Sequence, residues 1–421
     1  MDSALQRLTE HVRAAAASGT PLRIRGGGSK DFYGQSLQGD LLETTALTGI
    51  TSYEPSELVV TARAGTPLLE LEAALADQGQ CLPFEPPYFS LRSDTHDSDT
   101  HDSGAQDSGG SVSSVASVAS VASVVSLATV GGMVAAGLSG PARASVGGVR
   151  DYMLGVQLLN GRAEHLTFGG QVMKNVAGYD VSRLMAGSMG TLGIITDVSL
   201  KVLPVAPAEA TLVFEMDQAE GLAQLHRWGG QPLPLNASCW VGDDDAATPD
   251  ATGMGRLYLR LRGAIAAVES ASKSMVQQAA GKRLDNAVAA PDWQACRDLR
   301  LPFFTTPPQP DMALWRLSVA QTAPPLDLPW PQLMEWHGAL RWLWAPPHAA
   351  ASVRQAAVAA NGNATIFIAN YIYRTWANGK YDVFPELQGP LGGIHHRLKA
   401  EFDPQGIFNR GRLYPQLDSK A

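Results

Sequence analysis

Three glycine-rich clusters hold the residues of this 421-residue chain best suited to chemistry. The first is Arg25-Gly26-Gly27-Gly28-Ser29-Lys30. Successive glycines let backbone N–H groups converge on an anion without obstruction by Cβ atoms, and Ser29 can add a hydroxyl donor. The spacing is neither G-x-G-x-x-G opening a long helix nor G-x-x-x-x-G-K-[ST], so neither a nicotinamide fingerprint nor a P-loop is supported. A simple tight turn is the competing reading of a triple glycine. The second cluster runs from Ala128 to Gly140, with small residues on both sides of Gly131-Gly132. Such a stretch lets two backbones, or a backbone and a flat ring, approach closely. The third runs from Gly178 to Ile195, where Gly187, Gly190 and Gly193 recur every three residues and lead into an apolar strand, 194–202.

These clusters need elements to position them. Pro21–Arg25 reads as a short strand feeding the first cluster. Leu58, Val60, Ala62 and Ala64 alternate with Val59, Thr61 and Arg63, a period of two that predicts a strand. A helix is expected next, with Thr66 as N-cap, Pro67 in its first turn, Leu68, Leu71 and Leu75 as its apolar stripe and Gly79 as its stop. Beyond 205, strands are predicted at 211–216, 256–262, 313–320, 339–344 and 365–369, with helices ending near Trp228 and spanning 264–280. Alternation in these strands implies one buried and one exposed face, hence an antiparallel sheet with helices on one side.

Composition draws the domain map. Residues 1–205 contain no tryptophan, whereas all nine fall after residue 227. This shift places one domain at 1–205, a second at 206–390, and a C-terminal segment at 391–421. The tryptophans are expected in a core or at a subunit interface. Residues 90–127 form a low-complexity insertion that opens with a tandem Ser-Asp-Thr-His-Asp repeat. Its His96 and His101 read as members of a solvated loop, and no metal site is expected.

A formal net charge of −8, with no Lys/Arg block, argues against a nucleic-acid partner. Cys81, Cys239 and Cys296 lie far apart, which excludes a disulfide framework and a cysteine-ligated iron–sulfur cluster within this chain. Residues 1–20 read as an amphipathic surface helix and not as a signal peptide. The uncharged run 108–142 is too rich in Ser and Gly for a membrane span. The expected location is cytoplasmic, with peripheral attachment at an inner membrane through a complex as the alternative.

The three clusters in this order, with Leu58–Leu71 reading L-x-V-x-A-x-A-G-T-x-L-x-E-L, resemble the FAD-binding domain of the vanillyl-alcohol oxidase/p-cresol methylhydroxylase (PCMH) type. Lys174–Asp180 together with Gly187–Ile194 narrow the resemblance to FAD-linked 2-hydroxy-acid oxidases. Leu82–Pro87, Gly137–Pro141 and Phe402–Asn409 are similar to the flavin-binding subunits of bacterial glycolate oxidases. The resemblance covers about 20–205 and 391–415.

It implies an α+β fold with two α+β subdomains cradling FAD, plus a cap domain with an antiparallel sheet and helices. Gly26, Gly27, Gly28 and Ser29 would hold the pyrophosphate, flanked by Arg25 and Lys30. Thr129, Gly131, Gly132 and Ser139 would line the flavin. Gly187, Gly190, Thr191, Gly193 and Ile195 would lie near the adenosine and ribitol. Pro86 and Asn409 complete the expected cofactor set, with the tail Asn409–Arg412 at the isoalloxazine edge. Ser29 stands where a covalently attaching His is found in some relatives, and Cys81 does not match an attachment cysteine, so FAD is expected to be noncovalent.

The same resemblance implies oxidation of glycolate to glyoxylate within a complex. Its expected partners are a catalytic flavoprotein paralogue and an iron–sulfur subunit. A stand-alone D-lactate-like dehydrogenase and a non-catalytic flavin scaffold are the alternatives. Such chemistry needs a carboxylate clamp and a base, for which Arg suits the first and His or Tyr the second. Arg374, His396 and Arg412 are the candidates, with Tyr373, His395 and Arg397 beside them. The His-x-Gly-x-x-His pattern of catalytic relatives is absent, and the tail reads Asn409-Arg410-Gly411-Arg412 where Asn-Pro-Gly is usual.

Overall fold

The computed structural model describes residues 2–35, 38–89, 128–170, 180–242, 253–369, 382–387 and 389–418. The insertion at 90–127 and Arg374 lie outside the described residues. Helix α1 (Ser3–Ser18) starts at Asp2, whose carboxylate accepts from Ala4 N at 2.9 Å, and stops at Gly19 in the left-handed region. It buries Ala4, Leu8, Val12 and Ala15, one stripe at helical spacing. Strands β1 (Leu22–Arg25) and β2 (Asp40–Glu43) pair in parallel. Phe408 of the tail bridges to Leu22, and Ile407 and Phe408 join the core formed by α1, Leu22 and Leu42. The tail is therefore a built-in part of the first subdomain.

The second subdomain is a five-stranded sheet flanked by short helices. In chain order come β3 (Ile50–Glu54), β4 (Val59–Arg63), α2 (Leu68–Ala76), β5 (Gln80–Cys81), α3 (Val130–Ala136) and α4 (Arg143–Val146). Strands β6 (Met153–Leu159) and β7 (His165–Gly169), helix α5 (Val181–Leu184), then β8 (Ile194–Lys201) and β9 (Leu203–Pro204) follow. The sheet order is β3-β4-β8-β6-β7, and β9 pairs with β5. Helix α2 begins one residue later than expected. Pro67 occupies the cap position, and Thr66 Oγ1 is not a cap but accepts from Gly49 N at 3.0 Å, tying the β3 entry to the helix start.

After β9 the chain enters an eight-stranded antiparallel sheet. Its elements are β10 (Ala208–Glu215), α6 (Gln218–Gly229), β11 (Leu235–Gly242), β12 (Gly255–Gly263), α7 (Ile265–Ala279), β13 (Lys282–Leu284) and α8 (Asn286–Arg297). Then come α9 (Pro302–Thr305), β14 (Ala313–Ser318), β15 (Gln332–Glu335), β16 (Leu340–Ala345), α10 (Ala350–Ala359) and β17 (Asn363–Ile368). The strand order is β13-β10-β12-β11-β15-β16-β14-β17. Helix α11 (Pro390–Phe402) leads back to the first subdomain.

The sheet departs from the alternating expectation in one respect. Both of its faces are covered. Helices α6, α7 and α10 pack on one face. The other carries α8 and meets the two N-terminal subdomains, where Tyr33, Leu138 and Met189 share a core with Trp342, Trp344 and Phe367. Every residue of β16 is buried for that reason. Trp228, Trp315, Trp336 and Trp344 are fully buried, so these tryptophans build the core.

Ion pairs and hydrogen bonds close the seam between the two halves. The Glu85 carboxylate accepts from Arg260 Nη2 and Arg262 Nη1, each at 2.7 Å. Arg260 is almost wholly buried, and the two guanidiniums hold the Glu85 carboxyl below its ordinary range against its burial. Trp336 Nε1 donates to Gly140 O at 2.9 Å. His337 Nε2 lies 3.0 Å from Ser145 Oγ, and burial pushes the imidazole down to about 4, which keeps it neutral.

Candidate functional site

At Arg25 the chain leaves β1 and turns back on itself. Gly28 makes the turn at φ +78°, where a Cβ would lie 2.3 Å from the Arg25 guanidinium. Arg25 Nε pairs with Asp31 at 2.7 Å across the base of the turn. None of the backbone N–H groups from Gly26 to Lys30 donates a hydrogen bond among the described residues. Five neighbouring free amides, with Ser29 buried among them, form a nest for an anion.

The second cluster faces this nest. Thr129 caps α3, its Oγ1 accepting from Gly132 N at 3.2 Å. Gly131 N donates to Ala64 O at 2.7 Å, seating α3 on the end of β4. The approach is so close that a Cβ on Gly131 would lie 2.6 Å from Ala64 Cβ. The third cluster arrives through Met189 and Gly190, both with left-handed backbone. Asn409 stitches the pieces together: its Oδ1 accepts from Ile24 N and its Nδ2 donates to Met189 O, each at 2.7 Å.

These segments enclose a cavity of about 310 Å³. Arg25, Gly26, Gly27, Gly28, Ser29 and Lys30 line one side of it, and Thr129, Gly131 and Gly132 another. Gly190, Gly193 and Ile195 line the remainder, with Asn409 and Arg412 from the tail. Two cations, half-buried Lys30 and buried Arg412, mark its end. Burial pushes the Lys30 ammonium down to about 8, offset in part by Asp298. Arg412 donates to Lys30 O at 3.0 Å, and burial lowers its guanidinium to about 10.

The other expected residues lie elsewhere. Gly187 and Thr191 line a separate cavity of about 220 Å³ on the far side of Asn409 and Arg412, because the turn at Met189–Gly190 directs only one side of the cluster to the nest. Ser139 is spent on the backbone of Val149, whose N–H it accepts at 3.3 Å. Pro86 follows Glu85 at the seam and is not part of either cavity lining. His396 is on α11, outside both linings, while its neighbour His395 reaches the smaller cavity. Sequence reasoning missed Arg23, Ile24, Asp31, Thr44, Ala64, Ala135, Ala136 and Met189, which also line the larger cavity. Ala64, Ala135, Ala136 and Met189 lie inside the recognised motifs, and that membership was the available signal.

The lining fits a dinucleotide with a charged middle and a flat end: free amides for the pyrophosphate, side-chain-free surfaces for close approach, and cations at one end. Residues 5–91 match the FAD binding domain family (FAD_binding_4). Among solved structures, alkyldihydroxyacetonephosphate synthase superimposes with a TM-score of 0.61 at 13% identity, covering 96% of this chain and 75% of that one. That likeness concerns the fold. The fold and cavity define an FAD-linked oxidoreductase with a PCMH-type FAD-binding domain. The chain is 39% identical over 412 residues to glycolate oxidase subunit GlcE of Escherichia coli K12, 98% of each chain being covered. It belongs to that subunit family. Shorter matches link it to glycolate oxidase subunit GlcD of Bacillus subtilis, 34% identical over 23% of this chain and 20% of that one, and to a D-lactate dehydrogenase of Anaerostipes hadrus, 38% identical over 22% and 20%. No helix among the described residues is long and apolar enough to cross a membrane.

Proposed function

We propose that this chain is the FAD-binding subunit of a glycolate-oxidising complex, working beside a catalytic flavoprotein paralogue and an iron–sulfur subunit that takes up the electrons. The observation that carries this reading is the end-to-end match to a glycolate oxidase subunit in a chain whose three glycine clusters and tail line one cavity. The matches to D-lactate dehydrogenases span only about a fifth of the chain, which favours a subunit over a stand-alone dehydrogenase.

Bound FAD supplies a two-electron acceptor for the hydride of a 2-hydroxy acid. The protein's own residues do the holding. The amides of Gly26–Lys30 receive the pyrophosphate. Gly131, Gly132 and Gly190 allow the cofactor to lie against the backbone. Arg412 and Lys30 place positive charge at the tail end of the cavity. Ser29 at the nest and Cys81 in β5 offer no matching attachment residue, so FAD is held without a covalent bond.

The test is anaerobic addition of glycolate to the complex and to this chain alone, each loaded with FAD. Loss of the flavin absorbance in the complex, with an unchanged spectrum in the isolated chain, supports the subunit reading. Bleaching of the isolated chain would make it a dehydrogenase in its own right. No bleaching in either sample would overturn glycolate as the substrate.

A further inference from the structure

We propose that Arg316 and Tyr33 form a binding site for the carboxylate of a small organic acid, where the cap sheet meets the turn that follows the glycine nest. The starting observation is a contrast among arginines. Each of three other buried arginines has its donors engaged. Arg260 holds Asn236 and Glu85. Arg341 holds Gly338 O and Ala323 O. Arg412 holds Lys30 O. The guanidinium of Arg316, a half-buried residue in the middle of β14, donates no hydrogen bond and meets no carboxylate at ion-pair distance among the described residues. Its guanidinium is stacked over the Trp336 ring, 5.1 Å from the centroid.

A second guanidinium aggravates the imbalance. The guanidinium of Arg143 in α4 lies 4.6 Å from the same ring centroid, and it too makes no side-chain hydrogen bond or ion pair among the described residues. Two cations therefore share one indole, and Arg143 disfavours the charge of Arg316. Glu335 feels Arg316, but its Oε1 already accepts from Trp342 Nε1 at 2.7 Å. A partly buried cation pair with unused donors is a costly arrangement that a bound anion would relieve.

Tyr33 supplies the complement. It is 6% exposed, and its hydroxyl has no hydrogen-bond partner among the described residues. It lies close enough to Arg316 and Arg412 to feel both charges. Its ring packs 4.8 Å from Phe367 of β17, the strand beside β14. Its backbone N–H donates to Lys30 O at 3.1 Å, which anchors it to the cationic end of the cofactor cavity. A guanidinium fork and one phenol donor suit a carboxylate. The acid is small because Phe367 and Phe384 both pack on the Tyr33 ring, with centroids 4.8 and 6.0 Å away. That it is a 2-hydroxy or 2-oxo acid rests on the proposed function.

Oxalate is the probe, since it carries carboxylates and no hydride to lose. The FAD-loaded chain is titrated with oxalate by calorimetry, and flavin absorbance is followed in parallel. Saturable binding by the wild type is expected, weakened about tenfold or more in Arg316→Met and severalfold in Tyr33→Phe. Arg316→Lys keeps the charge without the fork and is also expected to bind about tenfold more weakly, which covers the case that the Met variant does not fold. No saturable binding by the wild type, or wild-type affinity in a folded Arg316 variant, overturns the site. The glycolate test on the complex reads the function separately: oxalate binding without glycolate oxidation retains the site and removes the functional reading.

Discussion

Asn409 of the tail reaches Ile24 of β1 with one side-chain atom and the Met189 carbonyl with the other, each at 2.7 Å. One amide thus joins the strand that feeds the nest, the third glycine cluster and the chain terminus. The same residue sits at φ 41°, a backbone conformation Asn tolerates better than most. Asn409→Ala leaves two backbone groups at the cavity without a partner. The expected cost is about 2–4 kcal/mol of stability, with FAD lost on gel filtration. Urea unfolding and the flavin-to-protein absorbance ratio check it. Asn409→Asp does not rescue, because its carboxylate would face the Met189 carbonyl with no proton to donate.

Gly131→Ala tests the contact between α3 and β4. Its Cβ would meet Ala64 Cβ at 2.6 Å and Ala64 O at 3.0 Å, both rigidly held. Helix α3 must shift, which costs about 1–3 kcal/mol and moves the Gly131-Gly132 wall of the cavity. The expected result is weaker FAD retention with a lower melting temperature. Retention equal to wild type would show that α3 does not set the cavity width.

Glu85→Gln removes the charge that Arg260 and Arg262 share at the seam. With Arg260 almost wholly buried, the uncompensated cation costs about 3 kcal/mol. Removing the exposed Glu269 partner of Arg283 by Glu269→Gln should leave the urea midpoint unchanged, because solvent screens that pair. Parallel urea melts of the two variants separate a buried pair from a surface one.

Glu335 gives a pH dependence of defined sign. Burial raises its carboxyl to about 7, against the hydrogen bond from Trp342 that lowers it. Its folded pKa lies above its unfolded one, so the protonated form stabilises the fold. That contribution is complete below about 4.5 and is lost as pH rises through about 7. Glu335→Gln abolishes the loss. Relative to wild type, the variant should gain about 2–3 kcal/mol between pH 4.5 and pH 8, measured by urea unfolding across that range. A difference that does not vary with pH would mean Glu335 is ionised throughout.

In the first half α1, β1, β4, α2 and β8 were legible because their signals are local, whereas β2, β3, β6 and β7 carried no such signal. Period-two alternation reports β4, and glycine reports turns that other residues cannot make without strain, as at Gly28 and Gly190. The turn at Gly26–Lys30 was legible for the same reason, since a run of residues lacking Cβ atoms marks bare backbone. Antiparallel strands beyond residue 205 were partly legible, whereas β11 and β15 were missed because both faces of that sheet are buried and the alternation is blurred.

The sequence by itself determined where the backbone must be bare and which stretches turn, since those properties depend on neighbours along the chain. Only the tertiary structure decided which bare stretches meet. It turned Gly190, Gly193 and Ile195 toward the nest while sending Gly187 and Thr191 to the other side of the Asn409–Arg412 wall. It also brought Arg316 of the cap sheet within electrostatic reach of Tyr33 beside the nest. Contacts of that kind depend on burial and on the packing of distant segments, and no spacing along the chain records them.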